Sequence, residues 1–279
     1  MHASLVSTSW LADRLDDPNL VILDGSFTLP NVTPTAAQNY AARHIAGAVF
    51  FDIDAVADHG VSLPHMLPTP AQFAEQVGAM GIGNDTPVVV YDTPGLMSAA
   101  RVWWTLRSFG QANVRILDGG LRKWLAEGRA VTDAPVTPQP RTFTSSFAAG
   151  NVRDRAQMLA NLNSRVEQVI DARSAARFNA TEKEARPGLR SGHIPGSLNL
   201  PFNMLSNAET GQVKPEAEIR ALFEGAGLDL DKPVIASCGS GVTAAALAFG
   251  LNLIGKTDVA IYDGAWAEWG LPGDTPVLP

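Results

Sequence analysis

The chain has 279 residues, 46% hydrophobic and 18% charged, with a formal net charge of −7. That length suits about two domains, each able to bury a core, and the composition is neither disordered nor collagen-like. The acidic balance, with no long Lys/Arg run, excludes an electrostatic footprint for nucleic acid and a polybasic membrane segment.

Read from the start, Met1 to Ser7 lacks a basic segment followed by an apolar run, so no signal peptide is expected there. No apolar stretch is long enough for a membrane span, and the expected compartment is cytoplasmic. Val21-Ile22-Leu23-Asp24 is a short β-branched run, and Arg43-His44-Ile45-Ala46-Gly47-Ala48 follows it. Gly81 marks a helix end. Residues 88–91 form a buried-strand pattern, 98–109 a helix, 114–117 a strand and 121–127 a short helix. The stretch 134–151 is rich in Pro, Thr and Ser and reads as an extended linker between domains at 1–133 and 152–279.

The second half repeats the first in the same order, so the chain reads as a duplication. Val169-Ile170-Asp171 matches the first run, and Gly192-His193-Ile194-Pro195-Gly196-Ser197 the His-Ile segment. Gly227 marks the second helix end. Strand 234–237, helix 242–254, strand 259–262 and helix 265–269 then follow. Leu117-Asp118-Gly119-Gly120 with Trp124 matches Tyr262-Asp263-Gly264-Ala265 with Trp269. Strand and helix alternation predicts an α/β fold of two similar domains, each a parallel sheet flanked by helices. His44 and His193 occur in both copies and read as structural. Asp118 and Asp263 read as turn or cap residues, and the two tryptophans as core.

Cys238 is the single cysteine, so it can form neither an internal disulfide nor a cysteine-rich zinc site. It stands at the carboxyl end of a predicted parallel strand, where open α/β sheets bind ligands. Gly239 and Gly241 allow the next turn to curl. Its backbone N–H groups and the following helix can then form an anion nest. Such a nest lowers a thiol pKa and stabilises charge on a sulfur attached to it. The plain alternative is a buried, inert cysteine. The matching residue in the first half is Asp92, which cannot be a sulfur nucleophile, so only the second copy is expected to be catalytic.

The duplication, the two His-Ile-x-Gly segments and the strand–Cys–loop–helix unit resemble tandem rhodanese-type sulfurtransferases. The loop Cys238-Gly239-Ser240-Gly241-Val242-Thr243 is similar to that of the 3-mercaptopyruvate-using members. Thiosulfate-using members usually carry a basic pair where this chain has neutral Gly239 and Ser240. The resemblance implies two rhodanese-like domains with the site in the cleft between them. It implies a sulfur carried on Cys238 as a persulfide, with pyruvate released and no cofactor or metal. A small-molecule donor is implied, with a thiol, cyanide or thioredoxin as acceptor.

It further implies that Arg177 and Arg186 hold the donor carboxylate and carbonyl, as paired guanidiniums can. Gly239, Gly241, Val242 and Thr243 would line the sulfur site, and the Thr243 hydroxyl would close the loop. Asp54, His65 and Ser240 resemble a Ser-His-Asp arrangement able to move a proton. Two solvated arginines, a loop histidine and a capping Asp54 are the plain alternatives. Arg101 is placed at the cleft. Ala46 departs from the proline usual in the His-Ile-Pro-Gly segment. Competing readings are a thiosulfate sulfurtransferase, a non-enzymatic rhodanese-like binding module and a cysteine phosphatase. The phosphatase needs an arginine six residues after the cysteine, where this chain has Ala244.

Overall fold

The computed structural model describes residues 2–29 and 31–279; Met1, which opens the stretch read for a signal, and Pro30 lie outside the described residues. The first copy comprises β1 (Leu5–Val6), α1 (Thr8–Ala12), β2 (Val21–Asp24), α2 (Ala36–Ala42), β3 (Ala48–Phe50), α3 (Pro70–Ala79), β4 (Val88–Tyr91), α4 (Ser98–Ser108), β5 (Val114–Leu117) and α5 (Gly120–Ala126). The second comprises β6 (Val152–Arg153), α6 (Arg155–Ser164), β7 (Gln168–Asp171), α7 (Ala175–Phe178), β8 (Leu198–Asn199), α8 (Glu216–Gly225), β9 (Val234–Ser237), α9 (Ala244–Leu253), β10 (Val259–Tyr262) and α10 (Ala265–Trp269). Among the described residues no helix is long and apolar enough to cross a membrane.

Each copy forms a five-stranded parallel sheet, in the order β1-β5-β4-β2-β3 and β6-β10-β9-β7-β8. The two orders are identical when matched strand for strand. The central strands β4 and β9 are buried along their whole length, as expected where helices cover both faces. The helix after each is buried almost throughout. Trp124 and Trp269 are core, at 1% and 0% exposure.

Contacts group the chain into two units. The first holds the chain up to Asp58, then Leu67–Ala148 and Ser206–Val213; the second holds His59–Met66, Ala149–Leu205 and Lys214–Pro279. A short segment of each half in sequence therefore belongs to the other unit. In the first unit the Asp118 carboxylate fixes that segment, accepting the Val213 N–H at 2.8 Å and the Gln212 side-chain amide at 3.1 Å. Asp118 thus holds a distant segment and does not merely cap its own turn. The Pro-rich stretch runs extended along the first unit, with Arg141 N–H on the Gly78 carbonyl (2.9 Å) and Phe143 edge-on to Phe73.

The paired histidines are structural in the same way. Each exchanges backbone hydrogen bonds with a residue far along its own unit, His44 with Thr132 and His193 with Leu278. Each stacks on an aromatic ring, Tyr40 at 4.2 Å and Phe178 at 4.0 Å. Each also directs Nδ1 at a backbone carbonyl of the preceding helix.

Gly81 and Gly227 end α3 and α8 with positive φ, at 84° and 87°. Gly227→Ala should cost about 1 kcal/mol through backbone strain alone, since the nearest atom to a new Cβ is a Leu198 methyl at 3.6 Å. Gly81→Ala should cost more, because its Cβ would meet the Gln139 carbonyl oxygen at 3.1 Å. Urea unfolding of both variants checks that order.

Candidate active site

The Cys238 loop joins β9, the middle strand of its sheet, to the buried α9. The thiol side chain is 1% exposed. Gly241 takes φ 78°, a conformation that favours glycine. The loop is fastened from outside by α10, where Trp266 and Ala267 donate their amides to the carbonyls of Cys238 and Gly239, each at 2.9 Å. Those two bonds fix the first two peptide groups of the turn.

The first unit shows what such a turn holds. Asp92 replaces the cysteine, the loop to α4 has the same length, and Gly95 (φ 116°) stands in the place of Gly241. Leu121 and Arg122 of α5 donate to the carbonyls of Asp92 and Thr93, as α10 does in the second unit. The fully buried Asp92 carboxylate then fills the turn. Oδ1 accepts from Gly95 at 2.6 Å, and Oδ2 from Met97 at 2.8 Å and Ala99 at 2.9 Å. Burial pushes its carboxyl above the ordinary range, and the loop amides pull the other way. Both oxygens act only as acceptors, which is the pattern of an ionised carboxylate. The same offsets in the second unit fall on Gly241, Thr243 and Ala245, and there the Ala245 amide donates to the Val242 carbonyl at 3.3 Å.

Two guanidiniums of the second unit serve this region. Arg177, on the one-turn helix α7, lies over the loop, with Nη2 3.0 Å from where a Cβ on Gly239 would stand. It is tied to the buried Glu184 carboxylate. Arg186 is half-buried and its Nη2 approaches His65 Nε2 at 3.3 Å. A guanidinium only donates, so Nε2 is the acceptor in this contact and the imidazole proton sits on Nδ1. His65 is itself 5% exposed with φ 60° and belongs to the His59–Met66 segment of this unit.

Ser240 is half-buried on the loop, and its hydroxyl has no hydrogen-bond partner among the described residues. The structure therefore does not join Ser240 to His65. Asp54 lies in the first unit, exposed, in the turn after β3. That turn is capped by Asp52, whose carboxylate accepts the Asp54 amide at 2.9 Å, so the capping role falls two residues earlier. Arg101 is buried in the first unit, its guanidinium 4.7 Å from the Trp104 ring centroid. Thr243 does not close the loop through its hydroxyl. It sits at the entrance of α9 in helical conformation and makes no side-chain cap bond, so the helix begins at Ala244, two residues later than its apolar pattern predicts. Val242 is buried and packs as core.

Three residues were not legible as part of the site: Asp171, Arg173 and Glu184. Arg173 donates to both oxygens of Asp171 at 2.7–3.1 Å and to Glu184 at 2.7 Å, with all three side chains at most 2% exposed. The available signal was Asp171 at a strand end with an arginine two residues on.

The rhodanese-like domain model matches this chain twice, at residues 7–127 and 154–271. The chain belongs to the rhodanese family. It is 44% identical over 275 residues to a 3-mercaptopyruvate sulfurtransferase of Escherichia coli strain K12, covering 98% of this chain and 97% of the relative. It is 45% identical over 277 residues to a thiosulfate sulfurtransferase of Bos taurus, covering 96% and 92%. Among solved structures it superposes on SseA from Escherichia coli, described as a 3-mercaptopyruvate sulfotransferase. There the TM-score is 0.86 and the identity 42%, over 94% of this chain and 98% of that one. Overall identity does not separate the two donor classes, so the rhodanese site itself must.

Asp92→Ala should destabilise the protein by about 3 kcal/mol, because it leaves buried N–H groups without their anion. Urea unfolding with far-UV circular dichroism measures this. A change below about 0.5 kcal/mol would show that the turn does not need the charge.

Proposed function

We propose that this protein is a 3-mercaptopyruvate sulfurtransferase that carries sulfur on Cys238 as a persulfide. The observation that supports this most is the Asp92 carboxylate in the congruent turn. In an aspartate the charged oxygens lie two bonds beyond Cβ. In a cysteine persulfide the outer sulfur also lies two bonds beyond Cβ. The turn that binds one anion at that distance suits the other.

Arg177 and Arg186 take the carboxylate end of the donor. The Cys238 thiolate attacks the donor sulfur, an S–S bond forms and the C–S bond breaks. Its electron pair leaves with the carbon as pyruvate enolate, which takes a proton to give pyruvate. Ser240, two residues after Cys238 on the loop, supplies this proton. Once Arg186 turns to the substrate and releases Nε2, His65 takes a proton from water at that nitrogen and passes it to the Ser240 oxygen, with Asp54 as the orienting carboxylate. Loop amides from Gly239 to Thr243 hold the persulfide until an acceptor thiol, cyanide or thioredoxin thiolate attacks the outer sulfur and regenerates Cys238.

A thiosulfate donor is the alternative. It brings two negative charges beside a loop whose flanking residues, Gly239 and Ser240, have none to answer them.

Exposure to 3-mercaptopyruvate should add one sulfur to the peptide containing Cys238, read by mass spectrometry, and Cys238→Ser should abolish the addition with the fold intact. Addition at another residue would remove the proposal. Arg177→Ala should raise KM for 3-mercaptopyruvate by about 10–100-fold, the value of a charged hydrogen bond, and an unchanged KM would remove the carboxylate clamp. Ser240→Ala should slow turnover of 3-mercaptopyruvate more than that of thiosulfate, whose cleavage leaves no enolate. Equal losses would argue against the proton role.

A further inference from the structure

Arg177 is held by a series of buried charges that begins in the sheet. Asp171 ends β7, beside the last residue of β9. Arg173 binds its carboxylate through Nε and Nη2, and binds the Gly192 carbonyl at 2.8 Å. The Arg173 guanidinium also lies 4.1 Å from the Trp266 ring centroid. A guanidinium held on this many sides cannot swing. Its Nη1 donates to Glu184 Oε1 at 2.7 Å, and Glu184 Oε2 accepts from Arg177 Nη2. Arg177 itself is 24% exposed, while Glu184 is 2% exposed. Arg177 Nε is buried with no partner among the described residues, so part of its donor set remains for a ligand.

We propose that Glu184 is a positioning residue for the sulfur donor. Its carboxylate, locked by Arg173, fixes the Arg177 guanidinium over Gly239, so that the carboxylate of an α-keto acid meets donors already in place. The inference rests on the mercaptopyruvate reading and deepens it. Glu184 acts through Arg177 and does not touch the substrate. Losing its charge would have two opposed effects: the Arg177 head group would be freed, and the region would become more positive. The second effect is screened, because Arg177 reaches solvent. The first removes the preset geometry of a charged, bidentate contact, so orientation wins and binding weakens.

The test is steady-state kinetics on the full chain. Glu184→Gln should raise KM for 3-mercaptopyruvate about tenfold while kcat falls less than about threefold. Glu184→Asp keeps the charge but is one methylene too short to bridge both guanidiniums, and should act alike. In an Arg177→Ala background, Glu184→Gln should add no further rise, because its effect passes through that arginine. Alkylation of Cys238 by uncharged iodoacetamide should keep its wild-type rate in the single variants. An unchanged KM in both single variants overturns the proposal. So does an equal further rise in the Arg177→Ala background, or a changed alkylation rate in the Glu184 variants, which marks a disturbance of the Cys238 loop itself. If the wild-type chain loads sulfur from thiosulfate alone, the donor reading falls by itself. The same cycle is then read on thiosulfate, an anion that Arg177 would equally hold.

Discussion

The site depends on a single backbone arrangement: a turn between the middle strand of a parallel sheet and a buried helix, pinned from behind by the amides of a second short helix. In both units that second helix takes the first two carbonyls of the turn. A turn whose N–H groups converge is a site for negative charge. In the first unit the Asp92 carboxylate takes that place, accepting the N–H groups of Gly95, Met97 and Ala99. In the second the chain supplies a sulfur instead, whose charge depends on what is attached.

This difference explains how one architecture can hold a rigid copy and a reactive copy. Asp92 fills its turn, so nothing is left to react. Cys238 reaches one bond less far, and in the proposed reaction the added sulfur takes the distance at which Asp92 places its oxygens. The strand-end aspartates diverge in parallel. Asp24 is met by neutral donors, the Ser26 amide at 2.9 Å and the Tyr91 hydroxyl, and burial pushes its carboxyl up. Asp171 is met by Arg173, and this starts the charge series that ends at Arg177. An arginine two residues after the strand connects the site to the sheet only in the unit that has the cysteine.

The strands and helices around the site were legible because their apolar runs are short, continuous and bounded by Gly or Pro. β4, β5, β9 and β10 fall on the expected residues. The cysteine was legible from its position at a strand end before a Gly-x-Gly turn. Glu184 was not. It lies in an irregular segment with no periodicity, within Glu182-Lys183-Glu184, which reads as a solvated charge run. Its burial arises from Arg173, a partner eleven residues back, and pairing at that range leaves no local trace. The Thr243 hydroxyl misled for a related reason. Thr before an apolar helix is a capping signal, but capping needs an extended backbone, and here the turn has already brought Thr243 to φ −78° and ψ −16°.

The balance of charge bears on the donor. Around the loop of the second unit, the carboxylates of Asp171 and Glu184 stand against the guanidiniums of Arg173, Arg177 and Arg186. Among these side chains one positive charge is left over, and the thiolate of the proposed reaction sets one negative charge against it. A 3-mercaptopyruvate carboxylate then adds one further negative charge and thiosulfate two, in a half-buried region where an unanswered charge is costly. Discrimination of this kind requires no clash with the disfavoured donor. It requires only that the arginine charge be largely spent before substrate arrives, so that what remains is geometry fitted to a planar carboxylate.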